Sequence, residues 1–178
     1  MISQDSKEFF FFAGTSLLIL VILLWFLVFP VHCLAPEYKS SIKAEMNWHI
    51  AKNTPYVLGT ESRVSTDCSG LLFQCFRRSG VPVNRVTSRD MAMGFGGWLG
   101  KDITLDDVEE LDLPFFTFQT APTRIHGHVG IFLESPKSKL LEVGHASASR
   151  NVILEPLKGV MLRDISKLRY LSIGDAKP

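Results

Sequence analysis

The sequence has little cysteine, almost no net charge, and no internal repeat or low-complexity tract apart from one apolar segment. Its 178 residues include three cysteines and carry a formal charge of +1. Three cysteines do not make a disulfide framework, and Cys68 and Cys75 lie two turns apart on one predicted helix face, about 10 Å, too far to be bridged. Because there is no basic stripe or strong charge asymmetry, we expect no nucleic-acid partner.

One long hydrophobic run stands near the N-terminus. Residues 9–29, FFFFAGTSLLILVILLWFLVF, contain no charged side chain, and a helix of this length spans the roughly 30 Å of a bilayer core. A secretory signal peptide has a shorter apolar region and a small-residue cleavage site, which the following residues 30–33 do not offer. We predict a retained single-pass transmembrane helix over 9–31, with cleavage as the alternative. A polar tail, 1–8, precedes it and a linker, 32–40, follows.

The stretch from Ser65 to Gly80, STDCSGLLFQCFRRSG, has the pattern of a capped amphipathic helix. Apolar or thiol side chains recur with i, i+3, i+4, i+7 and i+8 spacing from Cys68 onward. Thr66 or Asp67 can serve as the N-cap, and Gly80 fits the C′ position. Cys68 then lies in the first turn, where free backbone N–H groups and the helix dipole favour a nucleophilic thiolate. The alternative is a small core residue.

The remaining chain predicts helices first and strands afterwards. Residues 41–53 have a helical apolar face, and the four glycines within residues 94–100 disfavour regular structure. We interpret the acidic run over 106–112 as a solvated surface rather than a metal site. Five short strands are predicted in the second half, at 115–118, 128–133, 139–145, 151–155 and 168–173. This order predicts an α+β domain over 41–174 with an antiparallel meander.

Two histidines in the strand region can supply a base for Cys68. If the hairpin between the second and third strands is centred between Pro136 and Lys137, His128 lies directly opposite His145 on one face. One imidazole can then accept the thiol proton while the other orients it. His126 and His128 also form an HxH pair that could bind zinc with Cys68 and His145. We prefer the metal-free interpretation, because the chain offers no second closely spaced ligand pair.

Taken in order, several short motifs resemble those of the NlpC/P60 cysteine peptidases, over roughly residues 42–157. They are Pro55-Tyr-Val-Leu-Gly59, Asp67-Cys-Ser-Gly-Leu71, Arg85 with Thr87, Asp112-Leu-Pro-Phe-Phe116, His128-Val-Gly-Ile131 and His145-Ala-Ser147. The resemblance implies a papain-like core, in which N-terminal helices pack on an antiparallel sheet. It also implies a hydrolase of bacterial cell-wall stem peptides, often cutting between D-glutamate and diaminopimelate, that uses no cofactor and no metal.

The same resemblance implies roles for seven residues. Cys68 corresponds to the nucleophile, His128 to the base and His145 to the residue that orients the base. Four further positions correspond to substrate-binding residues: Tyr56, which helps shape the oxyanion and substrate site, Asp67 and Ser69, which engage the free amino end of the stem peptide, and Arg85, which faces the cleft. The chain departs from the family pattern at Thr60 and Leu111, where glycine is usual.

The expected setting is the bacterial inner membrane, with the catalytic domain on the extracytoplasmic side. The flanking charges favour the opposite orientation, because Lys7 precedes the apolar run whereas Lys39 and Lys43 follow it. Two alternatives stay open for the function. One is a cysteine amidase or acyltransferase of the same fold acting on a lipid or other non-wall amide. The other is a non-catalytic protein that binds wall peptide or a partner.

Overall fold

The computed structural model describes residues 36–98, 100–121, 124–160 and 165–172. All of them belong to one unit, His32–Ala176. The predicted tail 1–8 and transmembrane helix 9–31 lie outside the described residues. Within the described ranges, no helix is both long enough and apolar enough to cross a membrane.

Two longer helices, α1 (Pro36–Ala51) and α2 (Cys68–Arg78), precede the strands. The predicted linker 32–40 is therefore wrong from Pro36 onward. Proline suits the first helical position, because its missing N–H would have no partner there. The N-cap of α2 is Asp67, and Gly80 has φ +89°, as predicted for C′. Two short helices follow, α3 (Ser88–Ala92) and α4 (Leu157–Val160), and neither was predicted.

The strands form two sheets rather than the single predicted meander. One has the order β1-β7-β2-β3 and the other the order β4-β5-β6. The seven strands are β1 (Lys101–Ile103), β2 (Leu113–Ala121), β3 (Arg124–Val129), β4 (Ile131–Glu134), β5 (Leu141–Ser147), β6 (Asn151–Glu155) and β7 (Ile165–Ser172). Strand β6 has the predicted bounds, and β1 was not predicted.

The predicted strand 128–133 is divided at Gly130, where the chain leaves the first sheet and enters the second. A side chain at Gly130 would collide with Val143 Cγ1 and would lie 3.1 Å from the carbonyl oxygen of Gly144. Glycine is therefore required where the main chain passes this close to β5. This crossing places Val129 at the end of one sheet and Ile131 at the start of the other.

The predicted register of the β4–β5 hairpin is also wrong. Ile131 pairs with Gly144 and Glu134 with Leu141, which leaves a six-residue loop, 135–140, between them. This places the hairpin centre one residue later than predicted. A shift of this kind moves partners by two positions and keeps each side chain on its face. His128 lies on β3, where it pairs with Phe116 in the first sheet, whereas His145 lies on β5 of the second, so the two histidines are not partners of one hairpin.

The main core lies between α1, α2 and the sheets. Ile42 and Met46 of α1 are fully buried, and so is the predicted apolar face of α2 beyond Cys68, namely Leu71, Leu72, Cys75 and Phe76. Cys75 Sγ lies 3.8 Å from Met46 Sδ, and burial raises the pKa of this thiol. Cys75 is thus a core residue. The packing of α2 against the core also fixes the position of its N-terminal end, where Cys68 lies.

Candidate active site

The N-terminus of α2 is held by the carboxylate of Asp67. Its Oδ1 accepts a hydrogen bond from the Gly70 N–H at 2.6 Å, and its Oδ2 accepts one from the Gly59 N–H at 2.8 Å. A Cβ at Gly70 would collide with the carbonyl oxygen of Thr60, so glycine is required at this position of the Asp-Cys-Ser-Gly motif. The cap and this close contact join the loop before the helix to its first turn, where Cys68 lies.

The Cys68 thiol sits at the start of α2, against the end of β3. The main-chain N–H groups of Val129 and Ser69 lie near the sulfur, and their effect is to lower the pKa of the thiol. Cys68 is only 9% exposed, and burial, helped by the nearby Asp67 carboxylate, raises the pKa of the thiol to about 11. The sequence predicted a thiolate favoured by the helix end. That prediction is wrong for this resting state, because desolvation outweighs the helix end and its N–H groups.

His128 immediately precedes Val129, so the strand that offers its N–H to the sulfur also carries the predicted base. His128 Nε2 lies 2.8 Å from His145 Nδ1, and the two rings are nearly perpendicular at 85°. Because Nε2 is engaged by His145, Nδ1 is the ring nitrogen left for the thiol. The structure therefore brings His128 and His145 into contact and places Cys68 beside Val129, the residue that follows His128, although the predicted register was wrong.

Both imidazoles are neutral at neutral pH. Burial and the neighbouring His145 lower the pKa of His128 to about 3. Burial also lowers the pKa of His145, against the opposing effect of the Glu155 carboxylate. With the raised pKa of the Cys68 thiol, these shifts describe a neutral thiol and two neutral imidazoles.

Glu155 and Arg150 belong to this site and were not predicted. His145 Nε2 lies 2.7 Å from Glu155 Oε1, and Arg150 donates to both oxygens of that carboxylate at 2.7 Å. The sequence contains a signal for Glu155. In the β5–β6 ladder His145 pairs with Ile153, and a residue two positions further along β6 projects on the same face.

Tyr56 lies beside the thiol, in the segment before α2. Burial, together with the nearby charges of Cys68 and Asp67, raises the pKa of the Tyr56 phenol. The phenol therefore stays protonated and can donate a hydrogen bond. Its main chain is fixed by a bridge to Thr66 and by a 3.3 Å hydrogen bond from its N–H to the Asn151 side chain. The predicted oxyanion role of Tyr56 fits this position and stays a prediction.

Arg85 links the other predicted substrate-binding residues to one another. Its Nη2 donates to both oxygens of Asp67 at 2.9 Å, and its Nη1 donates to Ser69 Oγ at 2.6 Å. Its Nε lies 2.6 Å from a carboxylate oxygen of Glu61, which is more exposed. Asp67 and Ser69 are 4% and 5% exposed, so this network is largely buried at the two residues that flank Cys68 in the chain. Direct contact of these residues with a substrate stays a prediction.

The zinc alternative depended on His126, whose side chain is not among those that the structure describes. His126 lies on β3, paired with Phe118. In the described part of the chain, no group of three or more histidine, cysteine or carboxylate side chains is placed to hold a metal ion.

Comparison with known proteins shows the family and the fold to which the chain is similar. Residues 53–166 match the model of the NlpC/P60 family. A gamma-D-glutamyl-L-lysine dipeptidyl-peptidase of Bacillus subtilis (strain 168) is 34% identical over 96 residues, which are 50% of this chain and 30% of that protein. The chain therefore spans less than a third of the length of this relative.

Solved structures share the fold at lower identity. A lipoprotein-like NLP/P60 family protein of Staphylococcus aureus has a TM-score of 0.52 at 23% identity, over 77% of this chain and 42% of that one. The peptidoglycan hydrolase RipB of Mycobacterium tuberculosis has a TM-score of 0.53 at 17% identity, over 78% and 65%. NlpC1 of Trichomonas vaginalis has a TM-score of 0.54 at 18% identity, over 78% and 44%.

The family match covers both the Asp67-Cys-Ser-Gly turn and the two strands that carry His128 and His145. It also includes Glu155, on the strand next to His145. With the mixed helix and sheet fold shared by the solved relatives, these findings show that the chain belongs to the NlpC/P60 family.

Proposed function

We propose that this protein is a cysteine peptidase that hydrolyses amide bonds in peptidoglycan stem peptides, with Cys68, His128 and His145 as its triad. The observation that carries the proposal is the position of the Cys68 sulfur beside the main-chain N–H of Val129, the residue that follows His128, together with the 2.8 Å contact between the two imidazoles. This arrangement supports Cys68 as nucleophile, His128 as base and His145 as the residue that orients the base. No cofactor or metal enters the proposed reaction.

In the acylation step, the Cys68 sulfur attacks the carbonyl carbon of the scissile amide. The thiol proton passes to His128 Nδ1 as the carbon–sulfur bond forms. When the carbon–nitrogen bond breaks, the imidazolium returns this proton to the leaving amine. Because the pKa of the thiol is raised and that of the imidazole is lowered, no ion pair forms before the reaction. The first proton transfer therefore accompanies the attack of the sulfur, and the second accompanies the departure of the amine.

The acyl-enzyme is then hydrolysed by water. Neutral His128 accepts a proton from the water as its oxygen attacks the thioester carbon, and the proton returns to the sulfur when the carbon–sulfur bond breaks. The negative oxygen of each tetrahedral intermediate needs donors that are already in place. The protonated Tyr56 phenol beside the thiol is the side chain that we assign to this task.

The substrate assignment rests on the relatives. The Bacillus subtilis relative is named for cleavage between gamma-D-glutamate and L-lysine, and the mycobacterial one is named a peptidoglycan hydrolase. We assign to this chain the bond between D-glutamate and the following diamino acid, diaminopimelate or lysine. We further propose that residues 9–31 anchor the chain in the bacterial inner membrane and that the domain faces the wall, although the flanking lysines favour the reverse orientation.

Mass spectrometry of purified muropeptides after incubation with the protein tests this proposal. We expect new fragments whose masses differ by cleavage at the D-glutamyl bond, and Cys68→Ala should abolish them while the domain stays folded. Cys75→Ala is the matched control, because Cys75 lies in the same helix but in the core, and it should keep cleavage.

Two results would count against the peptidase assignment. Full turnover by Cys68→Ala would remove the proposed nucleophile. Release of acyl chains from lipids, with no muropeptide cleavage, would move the assignment to the acyltransferase alternative.

A further inference from the structure

A continuous chain of hydrogen bonds runs from His128 to Arg150. His128 Nε2 meets His145 Nδ1 at 2.8 Å, and His145 Nε2 meets Glu155 Oε1 at 2.7 Å. Arg150 then donates to both oxygens of Glu155 at 2.7 Å. Each of the two ring contacts requires one nitrogen with a proton and one partner without, so the ends of the chain decide the direction of every bond in it.

The Glu155 end determines the tautomers. An ionised carboxylate can only accept hydrogen bonds, so His145 Nε2 must carry a proton. In a neutral ring His145 Nδ1 is then bare and accepts, which requires a proton on His128 Nε2. His128 Nδ1 is consequently bare, and this is the nitrogen that must take the thiol proton. The reverse direction would place a proton on Nδ1 and leave Cys68 without a base.

The Glu155 side chain is held in place from several sides. It is 8% exposed, and Arg150 engages both of its oxygens in a two-pronged ion pair, which fixes the plane of the carboxylate. A Cβ at Gly159 would lie 2.5 Å from Oε2, so the first turn of α4 also closes over the carboxylate. Such packing leaves Glu155 aimed at His145 rather than at solvent.

We propose that Glu155, clamped by Arg150, is a positioning residue that locks both imidazoles in the Nε2–H tautomer and so keeps His128 Nδ1 available as the base. This inference rests on the proposed cysteine peptidase activity, to which it adds Glu155 and Arg150. Neither residue touches the thiol. Their effect passes through His145, and it includes stabilising the imidazolium that forms on His128 during acylation.

The test compares Glu155→Gln with the wild-type protein by 15N NMR of the histidine rings, without substrate. Protonated and bare ring nitrogens give well-separated signals, so the tautomer of each ring is read directly. The wild type should show a single Nε2–H tautomer at both His128 and His145. A glutamine amide can turn either its oxygen or its NH2 group toward His145, so the variant should populate both tautomers at both rings.

Kinetics on muropeptides give the second readout. We expect kcat of Glu155→Gln to fall about 10- to 100-fold, with KM unchanged within about two-fold because Glu155 lies behind His145. Glu155→Asp keeps an acceptor-only carboxylate and should keep the single tautomer. Glu142→Gln is the matched control on β5, since that side chain accepts a hydrogen bond from Ser138 at the surface, and it should change neither readout.

The outcomes separate the two proposals. If the wild type cleaves muropeptides but His145 carries its proton on Nδ1, or if Glu155→Gln leaves the tautomers and kcat unchanged, the role of Glu155 is overturned and the peptidase assignment stands. If the tautomers respond as expected and no muropeptide is cleaved, the role of Glu155 is supported and the peptidase assignment is overturned.

Discussion

The strongest stability prediction concerns Arg85, because its guanidinium forms ion pairs with both the buried carboxylate of Asp67 and the more exposed carboxylate of Glu61. Asp67 has a side chain that is 6% exposed, whereas that of Glu61 is 41% exposed. Arg85→Met keeps most of the aliphatic length and removes the charge, which leaves Asp67 buried without its cation. Breaking a buried pair costs about 3–5 kcal/mol. Asp67 keeps hydrogen bonds from Gly59 and Gly70, and Arg85 is itself a quarter exposed, so we expect a loss of about 2–3 kcal/mol.

Urea denaturation followed by circular dichroism measures this loss. With a slope of about 2 kcal/mol per molar urea, the midpoint of Arg85→Met should fall by roughly 1 M. Glu61→Gln removes the exposed partner of the same guanidinium and should cost about 1 kcal/mol or less. The reasoning is refuted if Arg85→Met shifts the midpoint no more than Glu61→Gln does, because burial would then not decide the strength of the pair.

Two further predictions follow from the titrating groups. With its pKa raised to about 11, Cys68 should react with iodoacetamide at a rate that climbs roughly tenfold per pH unit from pH 7 to 10 when Cys33 and Cys75 are both replaced by alanine; a plateau below pH 8.5 would contradict this. The native pKa values of His49, His128 and His145 are lowered from the ordinary 6.5, so the unfolded chain binds more protons below that pH. Stability present above pH 6.5 should be lost on acidification, by up to about 1.4 kcal/mol per pH unit for each histidine. Urea midpoints at pH 7.5, 6 and 5 measure this loss, and His128→Asn should flatten the slope; a constant midpoint would contradict it.

The local elements of the fold were readable from the sequence. The N-cap at Thr66 or Asp67, the apolar face from Cys68 to Phe76 and Gly80 at C′ all depend on contacts within a few residues. The structure selects Asp67 as the cap and confirms the other two. Strand β6 was predicted with its bounds for the same reason. The predicted linker was wrong from Pro36 onward. Proline disrupts a helix when it lies in the helix interior, but it suits the first helical position, which is where Pro36 lies.

The candidate site was predicted in its residues but not in its geometry. His128 and His145 were expected as direct partners of one hairpin, and they meet instead where the chain crosses between two sheets at Gly130. The hairpin register therefore does not account for their contact, which joins β3 of one sheet to β5 of the other. The close approach of Val143 to Gly130 at this crossing joins segments that are distant in the chain, so no local pattern predicts it.

By itself the sequence determined which residues can act: a cysteine at a capped helix start, two histidines on strands, and the order of motifs that the family shares. Only the tertiary structure decided the protonation and the hydrogen-bond partners of these residues. Burial of Cys68 raises the thiol pKa, although the helix end and the nearby Val129 N–H would lower it. The β5–β6 ladder brings Glu155 to His145 across ten residues of chain. Both effects arise from desolvation and from contacts between segments that are distant in sequence, which no local pattern of residues specifies.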